Sequence, residues 1–174
     1  MLVVSALASR EIRAVLLALK QAEPEIRKEI NKKSKDVLTD IWRQEIAEQA
    51  SIVGGKTQAA RFKVLVKTAK VTVGNKGVTL TAATTGRPLA GGLNPKTQWP
   101  GLEFGATKDV RSVEFTSKLG NRYKQTRNVT AQLDPRRKKG YVFFPAARHA
   151  VPRILSLWVQ TSVKTLYEIV ERKN

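Results

Sequence analysis

The chain has no cysteine and a single histidine in 174 residues. Without thiols there can be no disulfide framework, no thiolate metal site and no cysteine nucleophile. One imidazole, His149, gives too few ligands for a zinc centre. It sits among Ala and Arg at an expected helix start, where a surface or boundary position is its expected role. Carboxylates are scarce too, with 14 Asp and Glu against 32 Lys and Arg. No carboxylate cluster or histidine pair is visible, so a nuclease or other enzyme is set aside and no cofactor is expected. No apolar stretch approaches the ~20 residues of a membrane span, and no membrane partner is expected. The opening MLVVSALASREIRAVLLALK has an apolar run, but Arg10, Glu11 and Arg13 interrupt it and no basic segment precedes it. It reads as part of the fold rather than as a leader.

What is present is a chain long enough for one domain with a real core, residues 1–174, and too short for two. Its apolar fraction, 41%, is that of a globular protein. The net charge of +18 is unevenly spread: residues 1–48 hold nine Lys/Arg and eight Asp/Glu, whereas residues 49–167 hold twenty-one and four. A surface of that kind repels itself and attracts polyanions. The partner classes it implies are nucleic acid and acidic protein surfaces.

Ser9 to Lys20 reads as a short helix, with Ser9 as N-cap and Glu11 in the first turn. Pro24 suits the first position of a second helix. Ile26, Ile30, Val37, Ile41 and Ile46, widened by Leu38 and Trp42, carry its apolar stripe to about Gln49. The segment from Arg61 to Val66 is open between helix and strand. Alternation in AKVTVGNKGVTLTAA around Gly74-Asn75-Lys76-Gly77 predicts a β-hairpin. TTGRPLAGGLNPKTQWPG reads as loop, which places Trp99 in a loop as a candidate interface residue. Val113 to Thr116 is a candidate strand. Residues 117–140 are polar and basic and read as an arm, a long loop or extended hairpin. YVFFPAA then reads as a short aromatic strand ended by Pro145. A helix over about Ala146–Glu171 closes the chain, starting or kinking at Pro152, with Trp158 on its apolar stripe. Helices at the ends and strands between them predict an α+β domain: an antiparallel sheet covered by the N-terminal helices and a long C-terminal helix.

PGLEFGATKDVRSVEF holds the one carboxylate that invites a catalytic reading, Glu103, flanked by Leu102 and Phe104 and then by Gly101 and Gly105. General acid–base work needs a partner acid, base or metal, and neither Asp109 nor Glu114 is marked as one. A structural joint needs only Phe104 as an anchor, glycines that allow tight turns, and an arginine for Glu103 within the chain or across an interface. The structural reading is the stronger. Arg136, Arg137, Lys138 and Lys139 form the densest basic run, a candidate contact for DNA or an acidic neighbour, or else a solvated loop tip. Arg122, Lys124 and Arg127 interleave with Tyr123, a pattern suited to nucleic acid or to an interface.

Four stretches in this order resemble the neck and tail-completion proteins of long-tailed bacteriophages, a family of tail components. They are LLALKQAEPEIRKEINKKSKDV, the hairpin, EFGA at Glu103–Ala106, and GYVFFPAARHAVPRILSLWVQTSV. Many members carry a threonine-glycine pair after the long helix, where this chain reads GGKTQAARFK. The resemblance implies a virion protein, assembled in the host cytoplasm, that forms a ring of six at the head–tail junction. Such a ring joins the connector or stopper to the tail tube or its terminator, around the DNA channel. A close variant is a tail terminator that caps the tube, and a separate class is a monomeric non-specific nucleic-acid-binding protein. A closed ring needs a heterologous interface, for which Glu103, Phe104, Trp99, Arg122, Tyr123 and Arg127 are candidates. The run Arg136–Lys139 would then meet an acidic neighbour or, non-specifically, genomic DNA.

Overall fold

A computed structural model of the chain describes residues 2–5, 10–74 and 77–173. Strand β1 (Leu2–Ser5) is followed by helices α1 (Arg10–Gln21) and α2 (Pro24–Val53). A short helix α3 (Gln58–Arg61) then widens into a π-helical turn over Phe62–Val66, where the Lys67 amide donates to the Phe62 carbonyl at 3.0 Å. Strands β2 (Lys70–Gly74) and β3 (Gly77–Ala82) form the expected hairpin. Its turn residues Asn75 and Lys76, and the expected cap Ser9, lie outside the described residues. Helix α4 (Pro95–Phe104), strands β4 (Val110–Thr116) and β5 (Arg122–Asn128), and the long helix α5 (Phe143–Lys173) complete the order.

The chain is α+β, as the pattern predicts. β1 adds antiparallel to the free edge of β3 and gives a three-stranded sheet β1-β3-β2, with Leu2 opposite Ala82 and Ser5 opposite Thr79. Leu2–Ser5 are thus a strand of this sheet. α2 presents Ile30, Ser34, Leu38, Trp42, Ile46 and Ala50, one residue every four, to the interior. At 3.6 residues per turn that row drifts slowly around the helix and meets α5 along its length. Trp42 is the centre of the core. Its ring meets Phe143 edge-on at 5.2 Å, and its indole nitrogen donates to the Thr81 carbonyl at 3.4 Å. Trp158 of α5 is fully buried, and His149 is exposed.

Two sequence expectations change. Asn94-Pro95 starts a helix inside the presumed loop: the Asn94 side chain accepts from the Lys96 amide at 3.1 Å, and Pro95 takes the first helical position, where its missing N–H costs nothing. Trp99, Glu103 and Phe104 therefore lie on one helix. Tyr141–Phe144 is no strand. α5 already begins at Phe143, with Pro145 in its first turn, and runs on past Pro152. A short aromatic run has no period of its own, so tertiary packing decides its conformation.

Candidate functional site

Two features stand out: a buried polar joint, and a hairpin that leaves the body. The joint is built around Glu103, near the C-terminal end of α4 and fully buried. Its carboxylate accepts from three consecutive backbone amides at the start of α5: Val142 at 3.1 Å, Phe143 at 2.9 Å and Phe144 at 3.1 Å. The first amides of a helix have no partner inside it and carry the positive end of its dipole. Glu103 therefore caps α5 from 40 residues away in sequence. The Glu103 carbonyl also accepts from the Tyr141 amide at 2.8 Å, so side chain and backbone clamp the same turn. Burial pushes the Glu103 carboxyl above its ordinary value of 4.5, while the three amides and the Arg61 charge pull it back.

Glycines make room for this contact. Gly140 has φ +76°, and a Cβ there would lie 2.2 Å from Glu103 Oε1. Gly105 has φ +66° and ends α4. A Cβ there would lie 2.3 Å from the Pro135 carbonyl oxygen, at the point where Ala106 pairs with Pro135.

Arg61 forms the second half of the joint, and its side chain is wholly buried. Nε donates to the Leu102 carbonyl at 2.9 Å and Nη1 to the Gly54 carbonyl at 3.2 Å, while Nη2 lies 2.7 Å from Asp134 Oδ2. The guanidinium covers the Tyr141 ring at 4.5 Å. Thr57 donates to the same Asp134 oxygen at 2.5 Å. One arginine thus ties α3, α4, the 129–140 segment and the entrance to α5. A charge this deep is tolerated because Asp134 balances it and Nε and Nη1 are hydrogen-bonded, although Nη2 itself makes an ion pair without a hydrogen bond.

Glu103 is corrected in one respect. It is a joint, as the sequence implied, but one internal to the chain, and a fully buried residue is not on an interface. Its direct partners are backbone amides rather than an arginine. Phe104 lies between Trp99, at 6.0 Å, and Phe144, at 5.7 Å. Both Phe104 and Trp99 are half-buried, Trp99 packing against the core. Arg61, Asp134, Thr57 and Gly140 were not singled out from sequence. No local signal marks a pair such as Arg61 and Asp134, 73 residues apart.

The segment read as an arm over 117–140 divides in two. The projecting part begins earlier, at Val110, and ends at Asn128. β4 and β5 pair with each other, Val110 opposite Asn128 through Thr116 opposite Arg122, and with no other described strand. Residues 129–140 return to the body through Leu133 against Gly101, Asp134 with Arg61, and the Arg137 amide with the Phe104 carbonyl at 2.7 Å. Arg136–Lys139 are exposed but anchored at this return, not at a loop tip; Arg137 covers Tyr141 at 5.4 Å.

Side chains alternate across the hairpin. One face carries the Ser112–Thr126 hydroxyl pair at 2.9 Å and the Glu114–Lys124 ion pair at 3.2 Å. The other carries Val113, the stacked rings of Phe115 and Tyr123 at 5.8 Å, and Arg127 over Phe115 at 5.5 Å. Both faces are largely open to solvent: Ser112, Glu114, Lys124 and Thr126 are exposed on one, and on the other Val113 is 45% exposed and Tyr123 51%. A turn over Ser117–Asn121 closes the tip and leaves Leu119 88% exposed. At the base the Val129 amide donates to the Asp109 carbonyl at 2.9 Å.

A groove of about 790 Å³ lies beside the base of the hairpin, walled by Ala60, Leu93, Leu102, Val129 and Leu133. Lys56 is its one charged lining residue among those described. Among the described residues no group of His, Asp and Glu is placed to hold a metal ion, and no helix is long and apolar enough to cross a membrane. The chain matches no family model, no curated protein and no solved structure.

Proposed function

We propose that the chain is a structural virion protein that forms a ring at the head–tail junction of a long-tailed bacteriophage, joining connector to tail tube around the DNA channel. The observation that carries this reading is the β4–β5 hairpin. A two-stranded ribbon is marginal in water on its own, and this one pairs with no other described strand and carries largely exposed aromatic and aliphatic side chains on one face. Such an element is suited to being covered in an assembly. The order of elements that resembles the neck and tail-completion family supports the same reading.

The test is the native mass of nuclease-treated protein by light scattering, in salt high enough to screen surface charge. A discrete oligomer near six copies is expected. A monomer with strongly salt-dependent affinity for DNA fragments would move the protein to the nucleic-acid-binding class.

A further inference from the structure

We propose that the aromatic face of the β4–β5 hairpin docks on the C-terminal half of α2 in a second copy of this chain. The inference deepens the ring reading and rests on it for closure of the contact into a ring.

Charge gives the first argument. In this basic molecule residues 36–53 of α2 are the exception, with Asp36, Asp40, Glu45 and Glu48 against Arg43 alone. Glu45 is paired with Arg153 at 3.3 Å. Asp36, Asp40 and Glu48 are exposed and meet no cation among the described residues. On the hairpin, Arg111 and Lys124 are neutralised by Asp109 and Glu114. Lys118 at the tip and Arg127 near the base meet no carboxylate among the described residues. Each surface therefore holds uncompensated charge opposite in net sign to the other's, with Arg43 the one cation on the α2 stretch.

Length and apolar content agree with charge. Asp36 to Glu48 spans about 18 Å at 1.5 Å per residue, and Arg127 to Lys118 spans about 20 Å along the ribbon. Between these ends the hairpin offers Val113, Phe115 and Tyr123. The α2 face offers Val37, 50% exposed between Asp36 and Asp40, and Ile52, 73% exposed, lies about one turn past Glu48 at the margin of the contact. Apolar side chains between flanking ion pairs are the anatomy of a specific contact: burial gives affinity, and the charges fix register. Because the two surfaces differ and lie on separate elements, each copy can engage one neighbour through its hairpin and another through α2, which is the head-to-tail arrangement a ring needs.

The absence of cysteine makes the test clean. Val113→Cys in one preparation and Gln44→Cys in another, both at exposed positions, are mixed and oxidised. A mixed disulfide dimer is expected, at least ten times more abundant than from Val113→Cys mixed with Arg87→Cys, an exposed control site. Lys118→Glu with Arg127→Glu in the hairpin partner should reduce that yield at least fivefold. Asp36→Lys with Glu48→Lys in the α2 partner should restore it. A mixed dimer no more abundant than the control, or a yield indifferent to the charge changes, overturns the docking. Background cross-linking together with loss of binding to a fluorescent DNA duplex on Lys118→Glu/Arg127→Glu also overturns it and assigns the face to nucleic acid. A chain carrying both cysteines separates the two levels. A ladder that stops at a closed number above two supports docking and ring together, whereas a ladder that stops at two or is unbounded keeps the docking and removes the ring.

Discussion

The Glu103 carboxylate lies 2.9 Å from the amide nitrogen of Phe143, at the mouth of the longest helix in the chain. With the flanking Val142 and Phe144 amides, that contact joins α4 to the start of α5. Glu103→Ala would leave three amides without their acceptor in a site closed to water. The expected loss is about 3 kcal/mol, combining a lost cap with unmet buried donors. Glu103→Gln keeps one acceptor oxygen but turns an NH2 toward the other amides, so about half that loss is expected. Urea unfolding of the three proteins checks the order wild type, Gln, Ala. Equal stability for wild type and Ala would remove the joint from the account.

The same residue makes stability depend on pH in a defined direction. Its folded value is raised above 4.5, chiefly by burial. In the interval between the unfolded and folded values the folded chain binds more protons than the unfolded one, so stability falls as pH rises. The contribution is fully present below the unfolded value and is lost as pH passes the folded one. Glu103→Gln does not titrate there. The stability of wild type relative to Glu103→Gln should therefore fall from pH 4 upward and level off once the buried carboxyl is ionised. A difference that grows with pH would mean that the amides and Arg61 outweigh desolvation.

Arg61 and Asp134 should behave as one unit. Removing either leaves the other as an unpaired charge, Arg61 fully buried and Asp134 half-buried. Arg61→Ala is expected to cost about 4 kcal/mol, since it also empties a large buried volume and frees the Leu102 and Gly54 carbonyls. Asp134→Ala should cost about 2 kcal/mol. The double variant should lose clearly less than the sum, by 1 kcal/mol or more. Additive losses would mean that the 2.7 Å contact contributes nothing to the folded state.

The parts of this molecule that could be read in advance are those whose signal is local. The β2–β3 hairpin follows from two-residue alternation around a glycine turn, and α2 from its helical period and its Pro24 start, although Val37, read on the apolar stripe, is 50% exposed and the buried row runs through Ile30, Ser34, Leu38, Trp42, Ile46 and Ala50. The α4 helix was legible in principle, because Asn94-Pro95 is a cap followed by a first-position proline, but the Gly and Pro around it weighed toward loop. The aromatic run at Tyr141 could not be resolved locally. Its N-terminal amides are satisfied by a carboxylate 40 residues earlier, so nothing nearby announces the helix. Glu103 was recognisable as a joint from its glycines and aromatic neighbour, whereas its partner, a helix terminus, lay beyond any local pattern. Arg61 looked like one cation among 32. Only the fold shows it to be buried.

The division between body and hairpin gives the last prediction. Asp109 and Val129 are joined by a backbone hydrogen bond at the hairpin base. Residues 110–128 can therefore be replaced by Asn-Gly, a sequence suited to a tight two-residue turn, without moving Asp134 or Gly140. The hairpin contributes no side chain to the buried core. The shortened protein should melt within about 3 °C of the parent, the range of changes that touch no buried contact. Light scattering should find it monomeric where the parent assembles. Removing 129–139 as well should unfold it, because that cut takes away Asp134 and the Arg137 amide along with the hairpin. A large loss of stability from the first excision would make the hairpin part of the body. Unchanged assembly would show that copies meet through another surface.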